Sequence, residues 1–169
     1  MDDYHKVVYA IRRILDTAKI DYDAFEHEEV RTSEEAAAVR PEFSLAQGSK
    51  ALIVRIKRKD EAGQETREFV QVVVPGDKKF DAKKVKEVLG AKDIRFATEE
   101  EVKEITGGVQ PGGVPPFGNL FGLTVVVDQG VFEHTVTIFN AGDRRYSIAM
   151  RTADYQKVVK PTVADLVST

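Results

Sequence analysis

Val7, Val8, Ile11, Ile14, Leu15 and Ala18 recur at helical spacing with Lys6, Arg12, Arg13 and Asp16 between them, so residues 4–18 are predicted to form an amphipathic helix whose apolar stripe is core. Tyr22 to Glu28 alternates like a short strand. Thr32 with Glu35 three residues on has the form of a capping box opening a helix from Ser33 to Val39, which Pro41 ends. From Lys50 the period becomes two: Leu52, Val54 and Ile56 share one strand face and Arg55 and Lys57 the other. A partner strand is expected from Thr66 to Val74, joined through the charged, glycine-containing stretch Lys59 to Gln64 as a hairpin and closed by Pro75-Gly76-Asp77.

The second half continues in the same mixed fashion. Val85, Val88 and Leu89 before Gly90 describe a short helix with Lys83, Lys84 and Lys86 on a solvated face. Ile94 to Ala97 reads as a strand, and Thr98 before Glu99-Glu100-Glu101 as a helix start with acidic groups at the positive end of the dipole. Leu123 to Val127 has the length of a buried strand. Thr135–Phe139 and Tyr146–Met150 flank Asn140-Ala141-Gly142-Asp143, which reads as a hairpin turn, and Thr152 reads as the cap of a last helix stopped by Pro161. Helices interspersed with hairpins predict an α+β fold, with a central mixed, largely antiparallel, partly barrel-like sheet surrounded by helices.

One segment between these elements stands apart. Thr106 to Gly118 contains Gly107, Gly108, Gly112, Gly113 and Gly118 together with Pro111, Pro115 and Pro116, and almost no charge. Glycines admit close approach to backbone N–H groups and prolines remove conformers, so the composition suits a shaped loop able to face a carbonyl or phosphate oxygen; a plain connecting loop is the alternative. It is not a P-loop, because Gly113-Val114 stands where Lys and Ser/Thr are needed.

The chain has 169 residues, no cysteine and a net charge of −3, which suits one domain over residues 1–169, excludes thiolate chemistry and disulfides, and argues against a general nucleic-acid coat while leaving room for a local basic pocket for one RNA end. No apolar run has membrane-spanning length and Met-Asp-Asp opens no secretory signal, so the cytoplasm is the expected compartment, with no membrane partner. His5, His27 and His134 show no metal-ligand spacing, and neither a metal nor another cofactor is expected. Ser49, Ser147 and the histidines can be assembled into a triad on paper, but no nucleophile-elbow motif supports one. Lys50 opens an apolar strand directly after Gly48-Ser49, either as a surface lysine or as an ammonium held at a sheet end; Asp154 by default serves the dipole of the last helix. A basic track drawn from Lys50, Arg55, Arg144, Arg145 and Arg151 would favour RNA.

Gly48-Ser49-Lys50-Ala51-Leu52-Ile53-Val54, the loop from Thr106-Gly107 through Gly112-Gly113-Val114-Pro115-Pro116-Phe117-Gly118, and Phe139-Asn140-Ala141-Gly142 followed by Ser147-Ile148 and Asp154 resemble the YbaK family in residues and order. That family comprises aminoacyl-tRNA deacylases and the related editing domain inserted in bacterial prolyl-tRNA synthetases. The resemblance implies a freestanding trans-editing hydrolase that cleaves the ester of mischarged tRNA, with cysteinyl or alanyl esters of proline tRNA as examples. It implies Lys50 as the residue tied to activity. An aminoacyl pocket is implied from Thr106, Gly107, Gly108, Gly112, Gly113, Val114, Pro115, Phe117, Gly118, Asn140, Gly142 and Asp154. No metal is implied; the implied partners are the acceptor end of an aminoacylated tRNA and prolyl-tRNA synthetase. Asn140-Ala141 stands where some prolyl-type relatives carry a histidine, which implies a differently lined pocket. The alternative functions are a non-catalytic module binding a nucleotide, amino acid or tRNA end and docking on a synthetase, and a scaffolding domain.

Overall fold

The computed structural model describes residues 3–169. Helix α1 (Lys6–Thr17) buries Val7, Val8, Ile11 and Leu15, the predicted stripe, and His5 Nδ1 accepts the Val7 N–H at its start. Strand β1 (Tyr22–Glu26) and helix α2 (Ser33–Val39) follow. Thr32 Oγ1 accepts the Glu35 amide as a cap should, but the Glu35 carboxylate reaches back to the amide of Arg31, not to that of Thr32, so the box is half reciprocal.

Strands β2 (Ser49–Lys59) and β3 (Glu65–Pro75) form the expected hairpin, registered with Lys50 opposite Val74. Asp60 Oδ1 accepts the amides of Ala62 and Gln64, which shapes the connection without help from the strands. Helix α3 (Ala82–Leu89), capped by Asp81 and ended by Gly90 at φ +63°, leads to β4 (Asp93–Phe96). Thr98 and Glu101 make a complete capping box on α4 (Glu99–Thr106). Then come β5 (Thr124–Asp128), β6 (Val136–Asp143), β7 (Tyr146–Arg151), α5 (Thr152–Val159) and β8 (Thr162–Ala164), a parallel neighbour of β5 beyond Pro161 that periodicity did not predict.

The strands make two sheets, β4-β2-β3-β5-β8 and β1-β7-β6, with antiparallel pairing except for β3-β5 and β5-β8. They meet at one corner, where Gly48 bridges Ile138 and Ser49 Oγ lies 2.5 Å from Thr137 Oγ1; the sheet curls there without closing into a barrel. The larger sheet is covered on both faces. Val54, Ile56, Val70, Val72 and Val74 pack with Val85 and Leu166 on one side, while Ile53, Val73 and Val127 join α1, Phe117, Phe139, Ile148 and Tyr155 on the other.

Two local readings are corrected. Asn140 to Asp143 is not the turn: β6 continues through it with an irregularity between Asn140 and Asp143, and Arg144-Arg145 make the reversal. Gly142, at φ +106°, passes so close to α1 that a Cβ there would lie 2.7 Å from Val7 Cγ1, and its N–H bonds Gly113 O, so turn-like residues here serve a tertiary contact. Thr152 does not cap α5; its hydroxyl donates to His134 O at 2.7 Å. The expected basic track is largely paired: Arg55 with Asp93, Arg144 with Glu29 and Arg145 with Asp143.

Candidate functional site

At the corner where the two sheets meet lies a cavity of about 350 Å³, roofed by α2 and the turn Leu45–Gln47 and lined by Arg40, Lys50, Gly112, Val114 and Asn140 among others. The start of β2 is held from both sides. Ser44 and Gln47 cap each other reciprocally, Gly48 N–H donates to Leu45 O, and Gly76 N–H donates to Gly48 O at 2.7 Å. Lys50 is therefore presented at a fixed sheet end. Its ammonium donates to Lys78 O at 3.3 Å and, among the described residues, enters no ion pair.

The glycine and proline loop is fixed mainly through its carbonyls. Asn140 Nδ2 donates to Gly112 O at 2.7 Å, Arg144 Nε to Pro111 O at 2.8 Å, buried Gln71 to Pro115 O at 2.9 Å, and Tyr155 Oη to Pro116 O at 2.6 Å. Gln71 Oε1 also accepts the Gly118 amide, so one fully buried amide clamps both ends of Pro115–Gly118. Burial raises the Tyr155 phenol, which stays a donor to Pro116 O.

The sequence-derived site residues separate into two groups. Lys50, Gly112, Val114 and Asn140 share the cavity lining. Thr106 is turned inward, accepting the Val109 amide and donating to Val102 O; Gly107 and Gly108 close α4 with their amides on Lys103 O, and the Gly113 amide is taken by Gln110 O. Pro115, Phe117 and Gly118 lie behind the lining, with Phe117 packed 5.5 Å from Phe139 and 5.7 Å from Tyr155. Gly142 supports the loop from β6, and Asp154 borders a separate depression with Arg151, Lys157 and Asp21. Of the expected amide donors, that of Gly112 has no acceptor among the described residues, and the neighbouring Val114 amide likewise has none.

A buried polar network behind Asn140 escaped the sequence reading. Arg40 is 7% exposed and Ser147 0%. Arg40 Nη1 donates to Ser147 Oγ at 3.1 Å, His27 Nε2 lies 2.6 Å and Asn140 Oδ1 3.2 Å from the same oxygen, and His27 Nδ1 lies 2.8 Å from Glu28 O. A carbonyl only accepts, so Nδ1 carries a proton; with a neutral ring, His27 Nε2 and Asn140 Oδ1 both present acceptors to the single Ser147 hydroxyl proton, and the second lone pair of Asn140 Oδ1 stays available. Burial lowers the His27 pKa and Arg40 lowers it further, against the opposing bond to Glu28 O. Burial alone brings Arg40 down to about 10, which leaves it charged at neutral pH. Ser147 and His27 thus do meet, but a fully buried, saturated hydroxyl is no nucleophile. The available sequence clue to Arg40 was its spacing: four residues after buried Ala36, it falls on the inward side of α2.

The cavity combines a presented ammonium, a guanidinium in its wall, loop amides and an amide oxygen, a set able to hold a polar carbonyl compound and stabilise negative charge on its oxygen. Comparison with known proteins shows which family the chain resembles. The Multifunctional Ser/Thr-tRNA deacylase ProXp-y of Escherichia coli K12 is 30% identical over 153 residues, 90% of this chain and 87% of that protein. The Prolyl-tRNA editing protein ProX of Acetoanaerobium sticklandii is 27% identical over 86% of each chain. A solved structure of a proposed trans-editing enzyme for prolyl-tRNA synthetase superposes with a TM-score of 0.78 at 24% identity, over 99% of this chain and 100% of that one, a likeness of fold. The model of the Aminoacyl-tRNA editing domain matches residues 27–158, which takes in α2, the corner cavity and most of α5, and the chain belongs to that family.

Proposed function

We propose that residues 1–169 act as a single editing domain that hydrolyses the ester of mischarged tRNA in trans. The observation that carries this reading is the convergence of Lys50, the Gly112–Val114 backbone and Asn140 on one cavity. At about 350 Å³ it lies at the small end of ligand sites, roughly 300–1,000 Å³, which fits an aminoacyl group and its ribose while the RNA stays outside. Lys50, half-buried at the rim, serves the phosphate next to the terminal nucleoside, and the Gly112 and Val114 amides face the ester. Asn140 Oδ1 offers an acceptor for an α-ammonium or a side-chain hydroxyl, which supports a small polar aminoacyl group; the name of one relative, Ser/Thr-tRNA deacylase, supports the same class. The acceptor end of tRNA is the partner, and the partial matches to proline–tRNA ligases support an association with that synthetase.

The test is release of labelled amino acid from tRNAs charged with alanine, cysteine, serine, threonine and proline. Lys50→Ala should lower turnover by about 10²–10³-fold with the melting temperature nearly unchanged. Saturable binding of the charged tRNAs without ester loss would instead make the chain a binding module, and undiminished turnover by Lys50→Ala would remove the role given to Lys50.

A further inference from the structure

We propose that Arg40 is a catalytic residue, the group that holds the ester carbonyl oxygen as it gains negative charge; this rests on the editing reading above. Arg40 follows α2, and its Nε donates to Ala36 O at 3.1 Å while Nη1 donates to Ser147 Oγ at 3.1 Å. Two bonds from different nitrogens fix the guanidinium plane. Nη2 has no acceptor among the described residues. The fully buried side-chain nitrogen left without a partner among these residues is Arg55 Nε, so Arg40 Nη2 is not sealed and opens on the cavity that its residue lines. Nη2 lies beside Gly48, where a Cβ would stand 3.7 Å away, an ordinary contact distance.

Among the described residues no carboxylate pairs with Arg40, although it is 7% exposed. Buried cations are ordinarily paired, and one left unpaired in a cavity wall is a receptor for negative charge arriving from outside. An aminoacyl ester brings four polar groups. Its α-ammonium is repelled by Arg40 and its ribose hydroxyls are neutral; its phosphate is bulky and strongly hydrated and suits half-buried Lys50 at the rim. The carbonyl oxygen remains, and it becomes anionic inside the cavity, where a desolvated guanidinium acts most strongly.

In the step assigned, the oxygen of a water adds to the carbonyl carbon and the C=O π pair moves onto the oxygen held by Arg40 Nη2. The intermediate then re-forms the carbonyl, the bond from carbon to the ribose oxygen breaks, and that oxygen takes the proton the water gives up. Free amino acid and a ribose hydroxyl result, with no other reactant.

The experiment is steady-state deacylation by the full chain of the charged tRNA it cleaves best. Arg40→Gln should lose about 10²–10³-fold in kcat with KM within about threefold of wild type. In Arg40→Gly, added guanidinium ion should restore turnover saturably, whereas sodium chloride at equal ionic strength should not, a rescue that a purely structural arginine would not give. If Arg40→Gln does not fold, Arg40→Lys carries the same reading, since an ammonium lacks the forked donors, and a loss of at least about tenfold in kcat is expected. Wild-type kcat in a folded variant, or a loss confined to KM, overturns the role. Wild-type protein inactive on every ester overturns the editing reading with it, whereas turnover by wild type that Arg40→Gln leaves undiminished overturns the role of Arg40 alone.

Discussion

Ser147→Ala removes one hydroxyl with three neighbours and should be costly for so small a change. Ser147 is fully buried; its oxygen accepts from Arg40 Nη1 at 3.1 Å, and it lies 2.6 Å from His27 Nε2 and 3.2 Å from Asn140 Oδ1. Asn140 borders the cavity, where water can replace the lost partner, so its share is small. The charged Arg40 donor lies in the interior, where a bond to a charged group contributes roughly 1.5–3 kcal/mol, and His27 Nε2 is left partly desolvated. The expected loss is about 2–4 kcal/mol, which for a chain of this size lowers the melting temperature by roughly 4–16 °C at about 2–4 °C per kcal/mol. Urea unfolding should show a lower midpoint at unchanged slope. A double-mutant cycle with Arg40→Gln should give a coupling of about 1 kcal/mol or more, because the two residues share one bond. A loss under about 0.5 kcal/mol, or additivity in the cycle, would refute the view that Ser147 anchors Arg40.

The His27 pKa lies below that of the unfolded chain, chiefly through burial, so unfolding takes up a proton as the pH falls through about 6.5. The His27 contribution is complete above about pH 6.5 and is lost as the pH drops through the lowered folded value; the wild-type minus His27→Gln difference in unfolding free energy, measured from pH 8 to 5, should shrink in that window, and a flat difference would argue against it. Gly142→Ala places a Cβ 2.7 Å from Val7 Cγ1 at φ +106°, combining a strained conformation with an overpacked contact, and should cost about 3–5 kcal/mol by chemical denaturation. A cost under about 1 kcal/mol there would mean that α1 gives way easily.

Much of this architecture could be read locally, because its signals are local. The Val7–Leu15 stripe, the Thr98–Glu101 box and the β2-β3 hairpin each have their cause within a dozen residues, and each formed as the periodicity required. Asn140–Asp143 misled because its composition is that of a turn, while its conformation is set by Gly113 and Val7, distant in the chain. The same holds for the site. Lys50 and the Gly112–Val114 backbone stand out by composition and do share a cavity, but the amides of Gly107 and Gly108 are spent on Lys103 O at the end of α4 and that of Gly113 on Gln110 O within the loop. Arg40 gave no motif because its meaning depends on Ser147, 107 residues later.

The position of the cavity explains how a chain of net charge −3 can address an anionic substrate. Long-range attraction for RNA is weak at that balance, so recognition has to be local. Most arginines of the expected basic track are neutralised by neighbouring carboxylates, whereas Arg40 and Lys50, which line the corner where the sheets meet, have none among the described residues. Pairing the outer cations and leaving the inner ones unpaired concentrates positive potential at the corner cavity, where low dielectric and enclosure strengthen it. The corner makes this geometry available: Gly48, just before β2, bridges Ile138 of β6, Arg40 follows α2, and the loop clamped by Gln71 and Asn140 lies on the far side. A continuous sheet would have filled that space with side chains, and the break between the two sheets is therefore what gives the fold this cavity.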